Sequence, residues 1–200
     1  VEWCSPMVIV QKKDGSPRRT VDLQKLNSQC LRETHHCPTP FQLASQIPAN
    51  VKKTVTDAVD GYHAVPLHPD SQPLTAFITE WGRYQYLRIP QGFFASGDIY
   101  TRRFDDIIKD IPRKVKIIDD TLLYSNNIEQ AFYDTWDFLT LFANNGIVAN
   151  RSKFQFCKDI VQFAGLTITN DGLAPSKSIL SSIKNFPRSE EHTSELQSLT

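Results

Sequence analysis

Ten residues constrain the rest of this chain: Val115-Lys116-Ile117-Ile118-Asp119-Asp120-Thr121-Leu122-Leu123-Tyr124. Val, Ile, Leu and Tyr favour strands, and Asp is tolerated in a tight hairpin turn. The run reads as two short apolar strands with Asp119-Asp120 at the bend. Adjacent carboxylates repel each other and gain nothing from burial, so their place between apolar strands suggests a cation held at a hairpin tip. Mg²⁺ suits such a place, taking one or two protein carboxylates and completing its octahedron with substrate phosphates. Taken alone, such a pair is more often an acidic surface turn, and context decides.

The context is a set of short strands and amphipathic helices. Met7-Val8-Ile9-Val10 and 18–23 form a hairpin whose tip carries Lys12 and Lys13, with Arg18 on the returning strand. A short helical turn follows at 22–27, and 35–40 is irregular because of its two prolines. Val55-Thr56-Asp57 is a strand with the carboxylate near its end, and Asp60-Gly61-Tyr62-His63 is a turn. Strands at 75–79 and 84–89 lead to the loop 90–97. A helix then buries Tyr100, Phe104, Ile107, Ile108 and Ile111 on one face and ends at Pro112. The stripe Ile128, Ala131, Phe132, Trp136, Leu139, Phe142 and Ala143 predicts a core-facing helix capped at Gly146. Strands at 153–157 and 161–168, a turn at 170–172 and a helix over 176–186 complete the chain. This alternation predicts an α+β domain with helices on one face of an antiparallel sheet. If the strand of Asp57 neighbours the hairpin, three carboxylates converge, as two-metal phosphoryl transfer requires.

Composition limits the alternatives. No apolar run reaches the ~18 residues of a membrane span. The start at Val1 has no initiator Met and no signal-peptide shape, so an internal fragment is expected. Four cysteines form no CxxC pair, which makes a reduced intracellular setting the default. Cys30, His35, His36 and Cys37 match no zinc-finger spacing. Net charge is zero, yet residues 1–53 hold eight Lys/Arg against four acids, and Arg113, Lys114 and Lys116 precede the hairpin. Such local patches bind phosphates even when the total cancels.

Six motifs in order resemble the reverse transcriptase domain of gypsy-like LTR retrotransposons (Metaviridae) and, more broadly, retroviral-type Pol polyproteins. Ser5-Pro6-Met7, Lys12-Lys13-Asp14-Gly15, Arg18, Val21-Asp22-Leu23 and Leu26-Asn27 are similar to the fingers motif. Asp57 with Tyr62 resembles motif A, Pro90-Gln91-Gly92 motif B and Asp119-Asp120 motif C. Gly146-Ile147, Asn150 and Lys153 resemble motif D, and Phe163-Ala164-Gly165 the start of the primer grip.

The resemblance implies a right-hand polymerase fold. Fingers fall mainly in 1–53 and 63–90, palm mainly in 54–62 and 91–175, and a thumb begins before 187. It implies an RNA-directed DNA polymerase, a nucleotidyltransferase joining a dNTP to a primer 3′-hydroxyl. Asp57, Asp119 and Asp120 would hold two Mg²⁺, with Mn²⁺ as the substitute ion. Lys12, Lys13 and Arg18 would grip the triphosphate, and backbone N–H groups of Asp60, Gly61 and Tyr62 would face it. Tyr62 would exclude a 2′-hydroxyl, Gln91 would touch nucleotide or template, Gly92 would permit close backbone approach, and Lys153 would act as general acid. Partners would be an RNA or DNA template with a DNA primer and no membrane. RNase H and integrase domains would stand in the parent polyprotein, and the setting would be a cytoplasmic retroelement particle, with a nuclear stage.

Two positions depart from the motifs. Ile117 stands where motif C has an aromatic, removing its contact with the primer end, and Ser96-Gly97 replaces a common Pro, leaving that helix start less restrained. These departures keep an inactive nucleic-acid-binding remnant in view. An RNA-dependent RNA polymerase, whose palm pairs Gly with Asp-Asp, is disfavoured by Ile118 and Tyr62. The tail 188–200 resembles translated sequencing adapter, so Leu196 and Leu199 are expected to lie outside the core. Within the site, Asp119 is expected to be Asp57's principal co-ligand for the metal, with Asp120 flanking.

Overall fold

A computed structural model describes residues 3–11, 15–32, 34–35, 37–59 and 61–186, with the backbone alone for Arg18 and Ser178. Lys12, Lys13, Asp60 and the tail 188–200 lie outside the described residues. The central sheet is built on β3 (Lys52–Val59), which pairs antiparallel with β7 (Asp120–Ser125). β7 pairs in turn with β6 (Lys114–Ile117), while β8 (Val148–Ala149) and β9 (Gln155–Lys158) line the other edge of β3. Alternation along β3 and β7 sends side chains to two covered faces. Ala58 and Leu123 meet Tyr100, Phe104 and Ile108 of α3 (Ser96–Ile108) and Phe138 and Phe142 of α4 (Ile128–Asn144). Val55 and Leu122 meet Ala44 of α2 (Pro40–Ala44) and the small sheet β10 (Val161–Phe163), β11 (Leu166–Ile168) and β12 (Leu173–Pro175). The two long helices therefore share one face, as expected, and a second small sheet covers the other.

A separate four-stranded sheet runs β2-β1-β4-β5. It consists of β1 (Ser5–Gln11), β2 (Pro17–Val21), β4 (Phe77–Thr79) and β5 (Gly82–Tyr84), with β1 and β4 parallel. A cavity of about 710 Å³ opens on it, lined by Met7, Ile9, Phe77, Trp81, Tyr84 and Tyr86 among others; none of the three carboxylates lines it. The sheet is tied to the α3 loop by Asn27, at the end of α1 (Gln24–Asn27). Its side chain donates to Gly92 O and accepts from Phe94 N, both at 3.0 Å. Gly92 has φ +98, and a Cβ there would lie 3.1 Å from Val21 O, so glycine is required.

Several local expectations are corrected. Pro40 does not prevent structure: it is the first residue of α2, whose Thr39 and Gln42 form a capping box. The run 84–89 is strand only to Tyr84. The run 161–168 folds back on itself, because Ala164 and Gly165 both take positive φ (+46 and +81), the geometry of a two-residue hairpin turn. Ser96 is buried and donates to Pro90 O at 2.8 Å, so the α3 start is closed by its own hydroxyl and not loose. On α4 the buried face is Ala131, Thr135, Phe138 and Phe142. Ile128, Phe132 and Trp136 are 66%, 53% and 63% exposed, with the last two stacked on each other.

The basic groups are also redistributed. Lys53 is fully buried, and its three protons meet Val51 O, Asp159 O and Asn170 Oδ1 at 2.8–3.0 Å. It fastens the turn before β10 and the turn before β12 to the start of β3. Lys52 pairs with Asp159, Arg113 with Asp134 and Lys116 with Asp105, while Lys114 binds the carbonyls of Lys109 and Ile111. The basic group before the hairpin is thus committed to internal partners. Among the described residues no helix is long and apolar enough to cross a membrane.

Candidate active site

The turn between β6 and β7 has two residues, Ile118 and Asp119, because Ile117 and Asp120 are already paired. The bend is therefore one residue earlier than Asp119-Asp120. Primed hairpin turns need φ > 0 at the first position, and Ile118 supplies φ +53. That conformation is strained for a β-branched residue, so the tip stores local strain beside the carboxylates. Ile117 is buried against the β10–β12 side of the core.

Asp120 stands directly opposite Asp57 in the β3–β7 register, so both side chains leave the same face. It is therefore Asp120, not Asp119, that shares Asp57's face of the sheet, while Asp119 approaches from the turn. Burial, a hydrogen bond with Asp57 and the Asp57 charge together push the Asp120 pKa up to about 6. Asp119, in the turn, has its pKa raised by burial and by the Asp57 charge, opposed by a contact with the Tyr100 hydroxyl. Its Oδ1 is buried without a hydrogen-bond partner.

One cation sits among the three. Lys153 Nζ lies 3.0 Å from Asp57 Oδ2, and its pKa is raised first by that hydrogen bond, then by the charges of Asp57, Asp120 and Asp119. Asn150 also serves Asp57: its Nδ2 donates to Oδ2 at 3.3 Å and its N–H to the carbonyl at 2.8 Å. Asn150 Oδ1 accepts from Ser152 N at 3.1 Å, and Asn150 O from Lys153 N, a turn that presents the lysine. The sequence reading places Asn150 in motif D without a role; the structure makes it a donor to Asp57.

Tyr62 lies in the 3₁₀ segment Gly61–Ala64, half-buried, with its pKa raised by burial and then by Asp119, so it borders the carboxylates. Gln91 is half-buried in the turn before α3. Arg18 is in β2, but its side chain is not described, and Lys12, Lys13 and Asp60 are outside the described residues. The structure thus brings together Asp57, Asp119, Asp120, Lys153 and Tyr62.

The Asp120 shift has a measurable consequence. Its folded pKa exceeds the unfolded value of about 3.9, so the neutral form favours folding. That stabilisation is fully present below about pH 4 and is lost as pH rises through about 6. Without divalent ions, Asp120→Asn should match wild type in urea midpoint near pH 4 and exceed it at pH 7. A difference independent of pH would show that Asp120 ionises normally.

Comparisons agree with this architecture. Residues 10–168 match the sequence profile of the family described as reverse transcriptase (RNA-dependent DNA polymerase). The enzymatic polyprotein of cauliflower mosaic virus is 27% identical over 188 residues, 94% of this chain and 28% of that protein. The Pol polyprotein from the Drosophila melanogaster transposon opus is 27% identical over 92% of this chain and 19% of its own length. The chain thus spans less than a third of the curated relatives it matches. A foamy viral protease-reverse transcriptase solved in complex with double-stranded DNA superposes with TM-score 0.86 at 23% identity, covering 93% of this chain and 33% of that one. The native prototype foamy virus protein matches at TM-score 0.72 and 24% identity, covering 86% of this chain and 23% of its own.

Proposed function

The chain belongs to the reverse transcriptase family, and from that premise we propose that its carboxylate cluster carries out template-directed DNA synthesis, joining a dNTP to a primer 3′-hydroxyl. The observation that carries the reading is the pairing of Asp57 with Asp120 across the sheet, with Asp119 in the adjoining turn and the Lys153 ammonium 3.0 Å from Asp57. Burial first, and then the neighbouring Asp57, raises the pKa values of Asp119 and Asp120, so their ionised forms call for positive charge.

The donor set fits a hard cation, since all its candidate ligand atoms are carboxylate oxygens. Among the described residues no group of three such side chains is arranged to hold an ion as it stands, so the fit is one of ligand chemistry. Asp57, Asp119 and Asp120 would hold two Mg²⁺, or Mn²⁺ in its place. Bound there, such ions would favour ionisation of the primer hydroxyl and neutralise the charge on the leaving pyrophosphate.

The remaining roles belong to the chain itself. Lys153, held protonated at neutral pH by its carboxylate neighbours, supplies a proton to the leaving phosphate oxygen. Tyr62 closes the sugar side of the site, and Gln91 and Gly92 flank the nucleotide. Lys12, Lys13 and Arg18 on the β1–β2 hairpin, with backbone N–H groups at Asp60 and Gly61, take the triphosphate. Residues 1–53 and 63–90 then act as fingers, 54–62 and 91–175 as palm, with the thumb beginning before 187. Template and primer lie across the palm, RNase H and integrase domains belong to the parent polyprotein, and the work is done in a cytoplasmic particle.

The test is primer extension on an RNA template by the full-length parent protein. Template-directed, dNTP-dependent extension is expected with Mg²⁺ or Mn²⁺. Its absence with both ions, in a folded protein that binds primer–template, would overturn the reading.

A further inference from the structure

Tyr100 is a core residue by position and an odd one by chemistry. It falls with Phe104 and Ile108 on the buried face of α3 and is 1% exposed. Its ring meets the edge of Tyr62 at 5.5 Å and 79°, and packs on Phe104 at 5.5 Å. It is pressed so closely on the backbone after β3 that a Cβ at Gly61 would lie 2.5 Å from its Cζ and 2.6 Å from its Oη. The ring therefore cannot shift freely, and its hydroxyl is held in one place. A phenylalanine would fill this space, and a buried hydroxyl needs a partner.

The Tyr100 hydroxyl and Asp119 Oδ1 are both buried, and neither has a hydrogen-bond partner within 3.5 Å. One is a donor and the other an acceptor. They are also each other's neighbours: after burial, the Asp119 carboxylate is the leading influence on the Tyr100 hydroxyl. Asp119 is influenced in turn by Tyr100.

We propose that Tyr100 is a positioning residue: its hydroxyl donates to Asp119 Oδ1 and fixes the orientation in which that carboxylate is offered to a divalent cation. The role rests on the cation reading given above. Asp119 comes from a hairpin turn and needs an external brace, and Tyr100 supplies one from the helix beneath. Groups that orient a ligating side chain from behind govern metal affinity about as strongly as some ligands do.

The experiment is Mn²⁺ titration of the whole chain, followed by the paramagnetic signal of free Mn²⁺, for wild type, Tyr100→Phe, Asp119→Asn and the double variant. Tyr100→Phe keeps the ring and the packing, and thermal melting checks that it does. Its Kd for Mn²⁺ should rise by about tenfold. Asp119→Asn should also weaken binding, and adding Tyr100→Phe to it should change Kd by less than about twofold, because the hydroxyl then has no carboxylate to orient. An unchanged Kd for Tyr100→Phe, or an equal loss with and without Asp119, would overturn the proposal and leave the cation site standing. Wild-type Mn²⁺ affinity unaffected by Asp119→Asn would instead remove Asp119 from the site, and no wild-type binding would overturn both readings.

Discussion

Asp57→Asn should fold, bind primer–template and extend it about 10³-fold more slowly than wild type, the scale of removing a central electrostatic element from a polar active site. The substitution keeps the shape of the side chain. Asn150 Nδ2 can still donate to the remaining oxygen, and the Asn150 N–H bond to the residue 57 carbonyl is untouched. What is lost is the charge that faces Asp120 across the sheet and Lys153 beside it. Relieving the Asp57–Asp120 repulsion should leave the melting temperature without divalent ions unchanged or higher. Single-turnover extension and a melting curve on one preparation therefore separate lost chemistry from lost structure. Extension at the wild-type rate would sink the assignment.

The second large effect concerns sugar choice. Tyr62→Val should raise the kcat/KM for rNTPs relative to dNTPs by about 10²-fold, read as a ratio so that general loss of activity cancels. Tyr62 has neighbours on two sides. Its ring edge rests on Tyr100, and its hydroxyl stands near Gly97 at the α3 start, where a Cβ would lie 3.8 Å away in ordinary contact. A ring braced against Tyr100 would resist displacement by an extra hydroxyl on the sugar. Valine removes the ring and leaves a gap beside Tyr100, which should lower stability by about 1–3 kcal/mol. An unchanged ratio at that lower stability would assign Tyr62 to packing alone.

Much of this is legible in the sequence. β3, the β6–β7 hairpin and the two long helices follow from β-branched runs and helical periodicity, and the carboxylates stand out because adjacent aspartates are costly between apolar strands. Three things escape for physical reasons. On α4 the predicted stripe is right at Ala131 and Phe142 but drawn too wide: the buried face runs through Thr135 and Phe138, and Phe132 and Trp136, one residue off it, are exposed. Lys53 counts by sequence toward a phosphate-binding patch, but alternation along β3 turns it inward to three acceptors that come from 51, 159 and 170. Tyr100 reads as core, correctly, but its hydroxyl acquires meaning only from an aspartate nineteen residues later in a turn. Adjacency in sequence also misleads: Asp119 and Asp120 look alike, and only the register shows which one faces Asp57.

That register, Asp57 opposite Asp120 with Val55 opposite Leu122 behind it, has a genetic consequence. Side chains alternate along a strand, so deleting or inserting a single codon between Thr121 and Ser125 would reverse which residues face the core on one side of the lesion. Either the apolar pairs keep their places and Asp120 is carried away from Asp57, or the aspartates stay together and the apolar side chains are turned out. In-frame single-codon lesions here should therefore be as damaging as frameshifts, whereas conservative substitutions at Val55 or Leu122 should be tolerated. Copies of this gene could be sorted by that criterion before any protein is made.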